Sequence, residues 1–188
     1  MGLKERLEAD QREAMRSGQT MRLGTIRLLR TAIQNAEQAR RKELTEKLLE
    51  SKGYYAQDAE AREAEPIQLS EAEVEEISRG ATLSEQELVD TVVAREVKQR
   101  RDSIEQYRKA GRQDLVDREE GELHVLLAYM PEQLSEVEVE ALVRAVIGEV
   151  GAQGPRDMGK VMGRLTPQLR GKADMGAVSQ LVRRLLAG

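Results

Sequence analysis

The chain has 188 residues, a formal net charge of -4, no Cys, Trp or Phe, four Tyr and one His. Disulfides, thiolate zinc sites and thiolate nucleophiles are therefore excluded, and the core must be built from Leu, Val, Ile, Met and Ala. Charged residues make up 34% of the chain and Ala, Leu, Glu and Arg abound, a composition of strong helix formers with few prolines.

The elements read in chain order as helices. Leu3, Leu7, Ala14 and Met15 lie on one stripe of a first helix, and Gly18 is its expected stop. A second helix begins near Thr20, with Met21, Thr25, Leu28, Leu29, Ala32, Ile33 and Ala36 on its expected buried face, and continues through Leu44 and Leu48. Ser51–Ala81 differs: it carries most of the acidic excess and contains Gly53, Pro66 and Gly80. Ser70 and Glu73 form a capping box, which predicts a short helix on an excursion from the bundle. Ser84 and Glu87 form another, before a long amphipathic helix marked by Leu88, Val92, Val97, Ile104 and Tyr107 and ending near Gly111. A further helix spans about 114–128, with Leu115, Leu123, Leu126 and Leu127 toward its partners.

Met130-Pro131 reads as a domain boundary, because proline restricts the residue before it. A third capping box, Ser135 with Glu138, opens a helix whose apolar face is Val139, Leu142, Val143, Val146 and Ile147. Gly151, Gly154 and Pro155 interrupt it. Met158, Val161, Met162 and Leu165 predict a short helix, with Thr166-Pro167 as its expected break. Asp174 is the expected cap of the last helix, whose face is Val178, Leu181, Val182, Leu185 and Leu186.

Charge is unevenly spread. Residues 1–50 hold 11 basic and 8 acidic side chains, residues 51–90 hold 3 and 11, and residues 131–188 hold 8 and 7. Within the last block the cations concentrate after residue 155: Arg156, Lys160, Arg164, Arg170, Lys172, Arg183 and Arg184 face two Asp. That local excess is suited to a polyanion such as RNA; the alternative reading of the charge is a solvated face of a small domain. Lys160 and Arg164 are one helical turn apart and share a face. No aromatic lies nearby, so RNA shape or backbone is the expected target rather than unstacked bases.

Other candidates carry less chemistry. Gly159, Gly163 and Gly171 match no G-x-x-x-x-G-K-[ST] phosphate loop, and helix packing and turns account for them. His124 has Glu120 one turn before it but no second His or Cys to complete a metal set. Ser103 and Ser135 have ordinary helical or capping roles. Arg95, Lys98, Arg100, Arg101, Arg108, Lys109 and Arg112 form a second basic stretch, which either extends an RNA surface or pairs with neighbouring carboxylates. The acidic stretch Asp58–Glu76 reads as a solubilising excursion or a protein contact. No catalytic residue, cofactor site or metal site is expected. No apolar run approaches membrane-spanning length and the N-terminus has no secretory hydrophobic segment, which predicts a cytoplasmic protein without membrane contact.

Asp157-Met158-Gly159-Lys160-Val161-Met162-Gly163 and Gly171-Lys172-Ala173-Asp174 resemble the GatB/YqeY family. So do Leu3-Lys4-Glu5-Arg6-Leu7, Leu23 through Asn35-Ala36-Glu37, Lys98-Gln99-Arg100-Arg101-Asp102, Tyr107 through Leu115, and Tyr129-Met130-Pro131-Glu132-Gln133-Leu134-Ser135. The resemblance implies an all-α protein: an elongated helical domain over 1–130, then a helical tail of three or four helices over 131–188. It also implies a tail similar to that of the GatB subunit of aspartyl/glutamyl-tRNA amidotransferase, where the tail contacts tRNA and other domains do the chemistry. The expected role is tRNA binding or positioning, alongside amidotransferase or aminoacyl-tRNA synthetase proteins, without DNA specificity. Two alternatives stand beside it: a helical interaction scaffold that binds no RNA, and a carbon–nitrogen ligase component that uses glutamine nitrogen and depends on partner subunits. Compared with shorter members, about 40 residues, roughly 45 to 84, form an acidic insertion.

Overall fold

The computed structural model describes residues 2–54 and 68–187. Asp58 to Pro66, most of the acidic core of the insertion, lie outside the described residues. The fold is all-α: α1 Leu3–Arg16, α2 Thr20–Ser51, α3 Glu71–Ala81, α4 Ala94–Lys109, α5 Gln113–Leu127, α6 Glu136–Glu149, α7 Met158–Leu169 and α8 Met175–Ala187. Among the described residues no helix is long and apolar enough to cross a membrane. The chain divides into two compact units, Met1–Leu88 and Val89–Gly188.

In the first unit, α1 and α2 pack as a hairpin through Gly18, whose φ of 67° suits only a residue without a Cβ. Leu3, Leu7 and Ala14 are buried on α1, and Thr25, Ile26, Leu29 and Ile33 on α2. Three members of the expected stripes differ: Met15, Met21 and Leu28 are about half exposed, while Ile26, outside the expected set, is fully buried. Where α1 packs on α2 it covers a narrower arc than the periodicity offers. Arg22 pairs with Asp10 at 3.0 Å and Lys4 with Glu37 at 2.6 Å across the hairpin.

The predicted capping box at Ser70 is formed: Ser70 Oγ accepts from the Glu73 amide, and the Glu73 carboxylate accepts from the Ser70 amide at 2.8 Å. The resulting α3 is not an excursion but docks on α2. Ile77 and Ala81 are buried, and Gly80 sits so close to α2 that a Cβ would stand 3.0 Å from Leu44 Cδ1. Glu37 Oε1 also accepts from the Leu83 amide at 2.9 Å, fixing the chain after α3.

Ser84 caps the short turn Glu85–Glu87, as its sequence predicts. The expected regular helix from this cap is broken by a π-helical turn, Leu88–Val93. Leu88, Val89, Val92 and Val93 are all buried on it, and the wider turn shifts the phase of the helix that follows, whose buried Val97 a regular α-helix would set about 180° from Leu88.

In the second unit, α4 and α5 form a helical hairpin with Val97, Ile104, Val116 and Leu126 buried. Leu115, Leu123 and Leu127 are half-buried rather than central. After Tyr129, α6, α7 and α8 enclose a hydrophobic cluster of their own, centred on Val143, Val146, Val161, Leu165, Leu169, Val178 and Val182. Burying a Val or Leu of this kind contributes about 1.5–3 kcal/mol. The Ser135–Glu138 capping box opens α6 as predicted. The expected break at Thr166-Pro167 does not occur, because Pro167 lies inside α7. The stripe Val161, Leu165, Leu169 continues into the core past it, and that burial outweighs the lost Pro167 amide.

Candidate nucleic-acid interface

The tail cations are placed by three local features. A single turn of 3₁₀ helix, Pro155–Asp157, carries Arg156 directly into α7. On α7 the buried stripe faces the cluster, which leaves Lys160 and Arg164 exposed on the outer side. After α7 the chain reverses at Gly171, whose φ is 74°, and Asp174 starts α8. Asp174 Oδ1 accepts from the amides of Gly176 at 2.8 Å and Ala177 at 3.0 Å, the capping role expected from sequence. Burial pushes the Asp174 carboxyl up, but those amides and Arg101 outweigh it and hold it below its ordinary value.

The reversal is tied to the stretch of chain before α6. Gln133 Nε2 donates to the Pro131 carbonyl at 2.9 Å and to the Gly171 carbonyl at 2.7 Å. The Leu134 amide donates to the Lys172 carbonyl at 2.9 Å. These bonds fix Lys172 at one end of a groove of about 680 Å³ between α6 and α8. Leu134, Val139, Val178 and Leu181 are its apolar lining, and Arg101, Lys172 and Arg184 its basic lining. Glu136, Glu140 and Asp174 line the same groove.

The seven sequence-identified cations are thus not one patch. Arg156, Lys160 and Arg164 follow one another along the 3₁₀ turn and α7; Lys172 and Arg184 share the groove. Arg170 stands 3.7 Å from Asp90 of the π-helical turn, and Arg183 is exposed outside the groove. Lys160 pairs with Asp157 at 2.9 Å. The Gln153 amide and then the Lys160 ammonium hold the Asp157 carboxyl below its ordinary value. Among the described residues, Arg156, Arg164, Lys172, Arg183 and Arg184 have no ion-pair partner, and all five are exposed.

The second basic stretch behaves differently. Arg100 is buried between α4 and α5, 2.9 Å from Glu122, 3.4 Å from Glu119 and 3.6 Å from Glu96. Lys98 pairs with Asp102, Arg101 with Asp174, Arg108 with Glu120, Lys109 with Glu105 and Arg112 with Asp114. Arg95 alone of this stretch has no ion-pair partner among the described residues. Carboxylates of α5, of α4 itself and of Asp174 take up the charge that sequence offered as an extended RNA surface. Arg101 is the member that sequence does not connect with the tail; its distance to Asp174 is a tertiary fact without a local signal.

His124 is exposed, and Glu120 beside it is engaged by Arg108. Among the described residues no group of three His, Cys, Asp or Glu is arranged to hold a metal ion.

The family model described as Yqey-like protein matches residues 4–52 and 52–186 of the chain. The chain is also 28% identical over 184 residues to "Altered inheritance of mitochondria protein 41, mitochondrial" from Pyrenophora tritici-repentis (strain Pt-1C-BFP). That alignment covers 96% of this chain and 79% of the relative.

Proposed function

The chain belongs to the Yqey-like protein family, and from that premise we propose that it binds or positions tRNA as a non-catalytic accessory of tRNA-dependent amidation. The observation that carries this reading is the set of exposed tail cations left without carboxylate partners, while those of α4 are almost all neutralised. Cations already paired release few counterions on meeting a phosphate, whereas unpaired ones contribute their full electrostatic term. The similarity of the tail motifs to the end of the GatB subunit of aspartyl/glutamyl-tRNA amidotransferase supports tRNA as the polyanion. Amidotransferase or aminoacyl-tRNA synthetase proteins then become the natural partners. Amidation itself would come from other subunits, and the site of action would be the cytoplasm. The relative's name places that protein in mitochondria.

A second reading, a helical interaction scaffold, draws support from the α6–α8 groove, whose apolar lining and mixed charges suit a protein segment. One experiment separates them. The protein is titrated with purified total tRNA and with length-matched double-stranded RNA between about 50 and 200 mM salt, where phosphate binding weakens steeply. Lys160→Gln/Arg164→Gln/Lys172→Gln is the comparison, with helicity checked by circular dichroism. Salt-sensitive preference for tRNA that is lost in the variant supports the reading. Equal weak binding by both proteins, or no binding, refutes it in favour of the scaffold.

A further inference from the structure

We infer that the tail meets the phosphate backbone of folded RNA through the outer face of α7, with the preceding 3₁₀ turn, and not through the α6–α8 groove. This rests on the tRNA-binding reading above and assigns it a surface.

The two groups of tail cations differ in their electrostatic company. In the groove, Arg101, Lys172 and Arg184 share the lining with Glu136, Glu140 and Asp174; Arg101 is committed to Asp174 at 3.4 Å, Glu140 is held by Arg144 at 2.6 Å, and Glu136 is the carboxylate left to Lys172 and Arg184. A phosphate drawn to any of these cations also approaches a carboxylate. At a separation of 4 Å and an effective dielectric near 20, like and unlike unit charges interact with equal and opposite strength of about 4 kcal/mol, so a carboxylate as near to the phosphate as the cation is would cancel its attraction. The outer face of α7 is not balanced in this way. Arg156, Lys160 and Arg164 recur at intervals of four residues, and Asp157 is the carboxylate beside them. Asp157 is turned to the Gln153 amide at 3.1 Å as well as to Lys160. Arg156 and Arg164 keep their full charge for a partner.

Independently of charge, the backbone beside these cations is bare. Gly159 and Gly163 are exposed, and a Cβ on either would meet nothing within 4 Å. Neither has a positive φ, so neither backbone conformation nor packing requires glycine there. Each weakens the helix relative to Ala. Without side chains at 159 and 163, a sugar–phosphate backbone approaches the helix closely while Lys160 and Arg164 reach round it. Residues 131–188 contain no Phe, Trp or Tyr, so this face has no platform for splayed bases. A structured, stacked RNA is the chemistry it fits.

The test uses the full chain and total tRNA, with three variants: Arg156→Gln/Lys160→Gln/Arg164→Gln, Lys172→Gln/Arg184→Gln, and Gly163→Ala. The first should weaken binding roughly tenfold and lower the salt slope by about one for each phosphate no longer neutralised. The groove variant should bind within about twofold of the parent. Gly163→Ala should raise the melting temperature yet bind more weakly, a pairing that no folding defect produces. If the groove variant loses affinity while the α7 variant keeps it, the surface assignment is overturned and the tRNA reading stands. If the parent binds no tRNA at about 50 mM salt, both are overturned. Gly163→Ala binding like the parent overturns the close approach.

Discussion

Replacing Arg100 by Met should destabilise the second unit far more than any other change among the α4 cations. The Arg100 side chain is only 10% exposed, and Glu122, Glu119 and Glu96 surround it at 2.9, 3.4 and 3.6 Å. Glu119 Oε2 is buried and accepts no hydrogen bond among the described residues, so the arginine is its compensation. Met keeps the length and apolar stem of the side chain but leaves Glu96, Glu119 and Glu122 between α4 and α5 with Arg118, 3.3 Å from Glu122, as the cation that remains on them. Removing one partner of a buried ion pair costs about 3–5 kcal/mol. These carboxylates retain 11–19% of their exposure, and solvent relaxation sets the expectation at the lower end, about 3 kcal/mol. Equilibrium urea unfolding of the full chain, followed by far-ultraviolet circular dichroism, should show the midpoint of this unit falling by about 1–3 M. Adding Glu119→Gln should recover part of the loss, because it removes the carboxylate whose charge the arginine compensated. Lys98→Met, which breaks the exposed pair with Asp102, should leave the midpoint unchanged. An Arg100→Met protein within about 1 kcal/mol of the parent would refute the reasoning and show that the cluster is solvated.

Two further outcomes follow from the caps and the reversal. The Arg40 guanidinium and then the Ser84 amide and hydroxyl hold the Glu87 carboxyl down to about 2, from an ordinary value of 4.5. A folded value below the unfolded one gives stability that is complete above about 4.5 and is lost as the pH falls toward about 2. Acid titration at fixed urea should therefore show a shallower loss in Glu87→Gln, and an unchanged acid slope would count against the linkage. Gly171→Ala should cost about 1–2 kcal/mol, from the left-handed backbone rather than from crowding. Its Cβ would lie 3.5 Å from Asp90 Oδ1 and 3.6 Å from Pro131 Cγ, which are ordinary van der Waals distances. A thermal scan with an unshifted melting temperature would contradict that cost.

What sequence discloses here is what local geometry decides. The boxes Ser70–Glu73, Ser84–Glu87 and Ser135–Glu138 all form, because a cap needs only residues three apart. The buried stripes of α6, α7 and α8 likewise follow their apolar period. Periodicity names a face but not its edges, and so Met15, Met21 and Leu28 belong to the apolar stripes yet stand half outside. The π-helical turn at Leu88–Val93 does leave a trace in the pattern, because a regular helix would set Val97 about 180° from Leu88 although both are buried, but a phase slip of one residue is easily read as the edge of a broad stripe. The division of the tail cations has no local signal at all. Lys160 and Lys172 differ in surroundings because α6 brings Glu136 and Glu140 to the groove that holds Lys172 and not to Lys160. The same holds for Arg100 and its carboxylates from α5, 19 and 22 residues away in sequence.

α7 joins fold and function most directly. Gly159, Gly163 and Pro167 lie on one exposed line of a 12-residue helix, and together they cost about 5 kcal/mol of intrinsic helix propensity relative to Ala. Pro167 has no amide to donate to the Gly163 carbonyl, and both residues are exposed, so the acceptor it leaves unused is on the solvent side. Burial of Val161, Leu165 and Leu169, at about 1.5–3 kcal/mol each, is of the size needed to hold such a segment helical. The helix is therefore conditional on its neighbours α6 and α8, as most short protein helices are. Its outer face is released from any structural duty, and residues that weaken the helix persist there without destroying it. It follows that the cationic face exists only while the α6–α8 core is intact. A peptide spanning α7 alone would carry the same charges but not their arrangement, and so would lose any preference for folded RNA over an unstructured strand.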